Sequence, residues 1–200
     1  MKLIILEGID GSGKSTLAMA LYNMFVSMKL KALVVREPGG TIVGEQIRNI
    51  LLNKNNNISK KSQALLFFAA REELYQYLDQ NSNYDFVIFD RSHYSTLAYQ
   101  VKVLKNIDYN IYKSLLNRKY IKLESFIIFL NNSPNYILKH TNKKFDLKDT
   151  YESKGIAFQH KLFQAYQEIF SLKSNVLYLS GFDTDTNLEK VKEYMNLNNI

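Results

Sequence analysis

LEGIDGSGKSTLA, residues 6–18, gathers three of the chain's eight glycines just ahead of a lysine and two hydroxyls. Gly8-Ile9-Asp10-Gly11-Ser12-Gly13-Lys14-Ser15 fits the pattern G-x4-G-K-[ST], with Thr16 next. A short apolar run, 3–6, precedes it. Apolar residues at helical spacing follow: Leu17, Leu21, Met24, Phe25, Met28. Strand, glycine loop and helix start is the context this pattern requires. Glycines let backbone N–H groups curl around phosphate oxygens, and the helix N-terminus adds the positive end of its dipole. Lys14 is placed to reach β- and γ-phosphates, and the Ser15 hydroxyl to ligate Mg²⁺. A turn that merely capped a helix with Ser15 would explain the helix start but not the lysine. A dinucleotide fingerprint fails, because Thr16 stands where a small third residue belongs.

Outward from this loop the periodicity alternates. Strands are expected at 2–7, 31–36, 84–90 (YDFVIFD), 124–130 (ESFIIFL) and 175–179. Helices are expected at 15–28, 44–52, 59–78, 93–104, 109–119, 152–171 and 188–197. Near-continuous apolar strands between helices predict an α/β fold with a parallel sheet covered on both faces. One domain over 1–200 is expected. The polar, lysine-rich stretch 139–148 is a candidate lid.

With 46% hydrophobic and 22% charged residues over 200 positions, the chain can bury a core. It has no cysteine, which excludes disulfides and thiolate chemistry. The N-terminal apolar run is too short for a signal peptide, and no later segment is long enough for a bilayer, so a cytoplasmic protein is expected. The net charge of +7 comes from scattered lysines, not from a basic stripe interleaved with aromatics. Nucleic acid is therefore not the expected partner; an anionic small molecule suits the charge equally well.

Phosphate cradles serve GTPases, ATPases and kinases alike. No Asn-Lys-x-Asp element for guanine is present. The third strand ends in Asp90-Arg91, not in the Asp-Glu of a water-activating ATPase, and an arginine there points to a second anion beside the first. Arginine is scarce: five of 26 basic residues, namely Arg36, Arg48, Arg71, Arg91 and Arg118. In a lysine-rich chain, an arginine suggests a need for its planar fork. The first four fall near the carboxyl edge of the sheet, where such folds bind ligands.

EGIDGSGKST, REPGGT (36–41), FFAAR (67–71), DRSHYSTLAYQ (90–100), DTYE (149–152) and AYQE (165–168), in this order, resemble the bacterial thymidylate kinase family of P-loop kinases. The resemblance covers nearly the whole chain. It implies the P-loop NTPase fold, with a five-stranded parallel sheet flanked by helices and a short lid at about 139–152. It also implies a homodimer and γ-phosphoryl transfer from ATP to dTMP with Mg²⁺. By that resemblance residues 8–16 hold ATP, and Ser15 with Asp90 holds the metal. Asp10 bonds the sugar 3′-hydroxyl. Phe67 stacks on thymine and Arg71 bonds its carbonyl edge. Arg48 and Arg91 clamp the acceptor phosphate, with Arg36 and Pro38 nearby. Ser95, Thr96 and Gln100 line the base and sugar, and Tyr99 presses on the 2′ carbon. Tyr94 is expected in the core.

The chain departs from the family in two places. Thr150 and His140 stand at common arginine positions of the lid, so Lys143 and Lys144, with Lys148, are the candidate catalytic cations. VKVLKN, 101–106, replaces a glycine-rich segment. A phosphate-oxygen nucleophile needs no general base. His93, His140 and His160 show no ligand spacing and are expected at the surface. Glu37-Pro38, ahead of Gly39-Gly40, is expected to be cis. Another nucleotide or nucleoside kinase, a P-loop switch and a nucleic-acid-dependent ATPase stay open as alternatives.

Overall fold

The computed structural model describes residues 1–141, 151 and 154–198. Strands β1 (Lys2–Glu7), β2 (Ala32–Arg36), β3 (Phe86–Asp90), β4 (Glu124–Leu130) and β5 (Val176–Leu179) form one sheet in the order β2-β3-β1-β4-β5. Every pairing is parallel, as continuous apolar strands require. Alternate side chains feed two cores. Leu3, Ile5, Val87, Phe89, Ile127 and Phe129 pack under α3 (Lys60–Gln80) and α8 (Gly155–Phe170). Ile4, Leu6, Phe86, Ile88, Phe126 and Ile128 pack under α1 (Lys14–Ser27) and α9 (Thr184–Leu197). Each fully buried Ile or Phe contributes about 1.5–3 kcal/mol.

The remaining elements are α2 (Ile42–Leu52), α4 (His93–Thr96), α5 (Tyr109–Ser114), α6 (Arg118–Leu123) and α7 (Pro134–His140). The sheet order puts the strand inversion between β1 and β4. The carboxyl ends of β1, β2 and β3 therefore open onto one crevice, which the loops at 8–13, 37–41 and 91–92 line.

Four details differ from the sequence reading. The helix expected over 93–104 is α only to Thr96 and then widens to a π-helical turn, Leu97–Val103. There Leu104 N–H donates to Tyr99 O, and Asn106 bonds the backbone and side chain of Gln100. The helix expected over 109–119 is broken in two. Asn117 Oδ1 accepts from Lys119 N, a local turn that competes with helix. Helix α7 was not foreseen, although Ser133-Pro134 is a cap followed by proline at the first helical position. His93 is buried, not exposed. The turn into α4 carries it under α5, where Nδ1 lies 2.7 Å from the Tyr112 hydroxyl. Tyr94 is in the core, as expected. Among the described residues no helix is long and apolar enough to cross a membrane.

Candidate active site

The glycine loop links β1 to α1. Gly8 has φ 151°, and a Cβ there would meet the Leu130 carbonyl at 2.9 Å, so only glycine lets the loop cross the end of β4. Gly13, with φ 101°, turns the chain into α1. Lys14 is buried. Its ammonium donates to the carbonyls of Gly8 (3.1 Å) and Ile9 (2.8 Å), so the loop is closed on its own lysine. Burial, reinforced by the nearby Arg91 charge, pulls its pKa down to about 8.

Ser15 Oγ donates to Asp90 Oδ2 at 2.5 Å. Mg²⁺ prefers one or two hard protein oxygens and completes its shell with phosphates and water. A hydroxyl and a carboxylate side by side at the strand end fit that demand. No cluster of three or more acidic, His or Cys side chains exists among the described residues to cage a metal otherwise.

Two cavities adjoin here. The first, about 920 Å³ with its open mouth, is lined by Gly11, Gly13, Lys14, Ser15, Thr16, Arg36 and Asp90. The second, about 570 Å³, is lined by Pro38, Leu52, Phe67, Arg71, Ser95, Thr96, Tyr99, Gln100 and Tyr151. Asp10, Glu37, Arg48 and Arg91 line both. Arg91, with φ 74°, is the hub of this seam. Its Nη1 donates to Gly8 O, Ser95 Oγ and Tyr166 OH, each at 3.1 Å, and Nη2 pairs with Asp10. Tyr99 OH donates to the other Asp10 oxygen at 3.2 Å. Burial works against the Arg91 charge, but Tyr99, Asp10 and Tyr166 around it hold its pKa above the ordinary arginine value.

Arg48 donates to Pro38 O at 2.8 Å on the seam. Arg71 is buried in the second cavity against Glu37 and Thr96. Phe67 faces Tyr151, ring centroids 6.0 Å apart. Arg36 lies away from the second cavity, paired with Glu45 at 2.8 Å on the rim of the first. Glu37–Pro38 is cis. Lys143, Lys144, Lys148 and Thr150 lie outside the described residues.

Sequence reasoning missed four residues. Glu7, at the end of β1, accepts from Ser92 N and Oγ (2.8 and 2.9 Å) and from Ser95 N and Oγ (3.1 and 2.8 Å). A carboxylate closing the buried apolar run 3–6 was the signal, since such a group must be paired. Glu37 holds Arg71. Tyr166 OH sits 2.8 Å from Ser95 Oγ, and Tyr151 OH accepts from Gln100 Nε2 at 3.1 Å. The two tyrosines lay within motifs already singled out, but nothing local marked them.

A glycine cradle with its lysine and helix terminus, joined through a shared arginine to a second pocket, defines a P-loop phosphotransferase with a phosphorylated acceptor. A family model for thymidylate kinase matches residues 6–194. The thymidylate kinase of Thermosipho africanus is 37% identical over 180 residues, 89% of each chain. That of Thermosipho melanesiensis is 35% identical over 193 residues, 94% of each chain. The chain belongs to the thymidylate kinase family. Among solved structures, the thymidylate kinase of Candida albicans superposes with a TM-score of 0.73 at 29% identity, covering 99% of this chain and 92% of that one. That of Ehrlichia chaffeensis shares the fold, with a TM-score of 0.71 at 22% identity over 96% and 98% of the two chains.

Proposed function

We propose that the enzyme transfers the γ-phosphoryl group of ATP to dTMP, giving dTDP, with the first cavity as donor site and the second as acceptor site. The observation that carries this reading is the seam. Arg91, Arg48 and Asp10 line both cavities, so an acceptor phosphate held there faces the glycine loop. The nucleophile is a phosphate oxygen, already anionic near neutral pH. Catalysis then reduces to in-line positioning and neutralisation of charge.

Lys14 turns from the loop carbonyls to the β- and γ-phosphates. The loop N–H groups hold the rest of the triphosphate. Arg91 and Arg48 hold the acceptor phosphate, Arg91 already oriented by Tyr166 and Ser95. Ser15 and Asp90 would hold Mg²⁺, which would supply a counter-charge to the phosphates. Asp10 receives the sugar 3′-hydroxyl, and Tyr99 excludes a 2′-hydroxyl. Phe67 and Tyr151 flank the base, and Arg71 reads its carbonyl edge beside Thr96 and Gln100. Lys143 and Lys144 stand in for the lid arginines of the family.

We place the enzyme in the cytoplasm, with its nucleotide substrates, and as a homodimer. Ile42 (83% exposed) and Val43 on α2, and Leu65 on α3, leave apolar surface for a second copy. The test of the function is ADP release with a panel of nucleosides and nucleoside monophosphates. Release with dTMP far above all others is expected. Equal release with nucleosides, or release stimulated by DNA without dTMP, would overturn the reading.

A further inference from the structure

The acceptor cavity is lined by two side chains that each keep one buried polar atom without a partner: Arg71 Nη1 and Glu37 Oε1. Both side chains are only 4% exposed. The rest of each group is committed. Glu37 Oε2 accepts from Arg71 Nε at 2.8 Å and lies 2.7 Å from Nη2. Nη2 also donates to Thr96 Oγ1 at 2.8 Å. A planar guanidinium tied at Nε and Nη2 has no freedom left, so the place of its third nitrogen is set by the carboxylate. Glu37 is itself fixed from its backbone. Its N–H donates to Asp90 O at 3.0 Å, extending the β2–β3 ladder, and the next carbonyl, that of Pro38, is held by Arg48.

We propose that Glu37 is a positioning residue for base selectivity. By holding Arg71 through Nε and Nη2, it leaves Nη1 as one fixed donor, which favours a pyrimidine with a 4-keto oxygen over one with a 4-amino group. The inference rests on the second cavity being the dTMP site. A keto oxygen accepts from a fixed donor. An amino group confronts it with a second donor, and a buried donor left unpaired costs about 10–100-fold in binding. Selectivity therefore comes as much from what the fork repels as from what it holds. Arg71 touches the base, and Glu37 acts only through Arg71. A free guanidinium could rotate to suit either base edge, so removing Glu37 relaxes the choice as well as weakening the grip.

Three variants test this by ADP release, with dTMP, dCMP and ATP each varied. Glu37→Leu removes the acceptor oxygens. Glu37→Gln keeps an oxygen able to stand where Oε2 stands. Arg71→Met removes the donor. Glu37→Leu is expected to raise KM for dTMP by about 10–100-fold and to narrow the preference for dTMP over dCMP by a similar factor. KM for ATP is expected to change far less. Glu37→Gln is expected to recover most of the preference. In the Arg71→Met background, Glu37→Leu costs nothing further, because the group it acts on is gone. That double variant buries no lone charge, so a further loss in it overturns the proposal even where Glu37→Leu alone does not fold, and the KM and preference of Glu37→Gln then carry the positive test. Additive losses in that background, a Glu37→Leu enzyme that keeps its preference, or equal rises in KM for dTMP and ATP would each overturn the proposal. A wild-type enzyme that transfers nothing to dTMP would overturn the functional reading instead.

Discussion

The two halves of the crevice are prepared to different degrees. On the acceptor side the charged groups already have the places their proposed roles need. Arg91 is bonded to Gly8, Ser95, Tyr166 and Asp10, and Arg71 to Glu37 and Thr96. On the donor side Lys14 is turned onto the carbonyls of its own loop, and Ser15 donates to Asp90. The acceptor arginines are already oriented by protein partners, whereas the donor lysine must turn from its own loop carbonyls to reach ATP. Preorganisation cuts the cost of binding and of reaching the transition state. Arg91 and Arg48 at the acceptor phosphate should thus act mainly on rate, Arg71 on the choice and grip of the base, and the donor lysine on ATP affinity and its response to pH.

The largest expected effect falls on the seam. Arg91→Ala removes the hub and leaves Asp10, Ser95 and Tyr166 without their common partner. Loss of a preorganised charge clamp typically costs about 10²–10³-fold in rate. The turnover number with dTMP should fall by at least that, while ATP binding measured by calorimetry stays near the wild-type value. Near-normal turnover would remove Arg91 from the clamp and erase the contrast between the two halves.

A smaller effect is expected from the lid lysines. Lys143→Ala with Lys144→Ala should lower the turnover number about 10–100-fold, since an ammonium neutralises phosphate as a point charge, without the paired donors of a guanidinium fork. KM for dTMP should change far less. A double variant that keeps its rate and loses dTMP affinity would assign these lysines to the acceptor half or to the surface.

The same contrast explains what was legible in the sequence. The donor cradle lies within eight consecutive residues, 8–15, so its chemistry could be read locally. The five strands were legible because each is a short apolar run. The acceptor arginines were flagged by their scarcity among lysines. Their supports were not, because Glu37 meets Arg71 across 34 positions and Arg91 meets Tyr166 across 75. No local pattern encodes such pairs. His93 was misplaced for a related reason. Periodicity suggested a helix, but the turn at Ser92 and the widening after Thr96 decide which side chains face inward.

The smallest effect separates the halves by pH. Lys14 has a pKa near 8 in the free enzyme, lowered from 10.5 mainly by burial and then by Arg91. Triphosphate oxygens beside the ammonium favour its charged form, so ATP binding takes up a proton once the pH exceeds that value. ATP affinity should fall by up to a decade per pH unit above 8, or about tenfold at pH 9 relative to neutral pH. Folding stability should respond with the opposite sign. The folded-state pKa of Lys14 lies below its unfolded value, so between about pH 8 and 10.5 the unfolded chain binds more protons and this group's contribution to stability rises with pH. Lys14→Met should flatten both trends. Among the described residues of the acceptor half, Arg91 stays charged, Tyr99 and Tyr166 are pushed above the ordinary tyrosine range by burial, and Glu37, raised by burial, is tied to Arg71; a phosphate monoester with its second pKa near 6 is already a dianion. Calorimetric titrations at pH 7 and pH 9 should therefore show ATP affinity dropping while dTMP affinity holds. Parallel losses for both ligands would mean that the two cavities share their titrating group, and the division between a prepared acceptor site and an unprepared donor site would not stand.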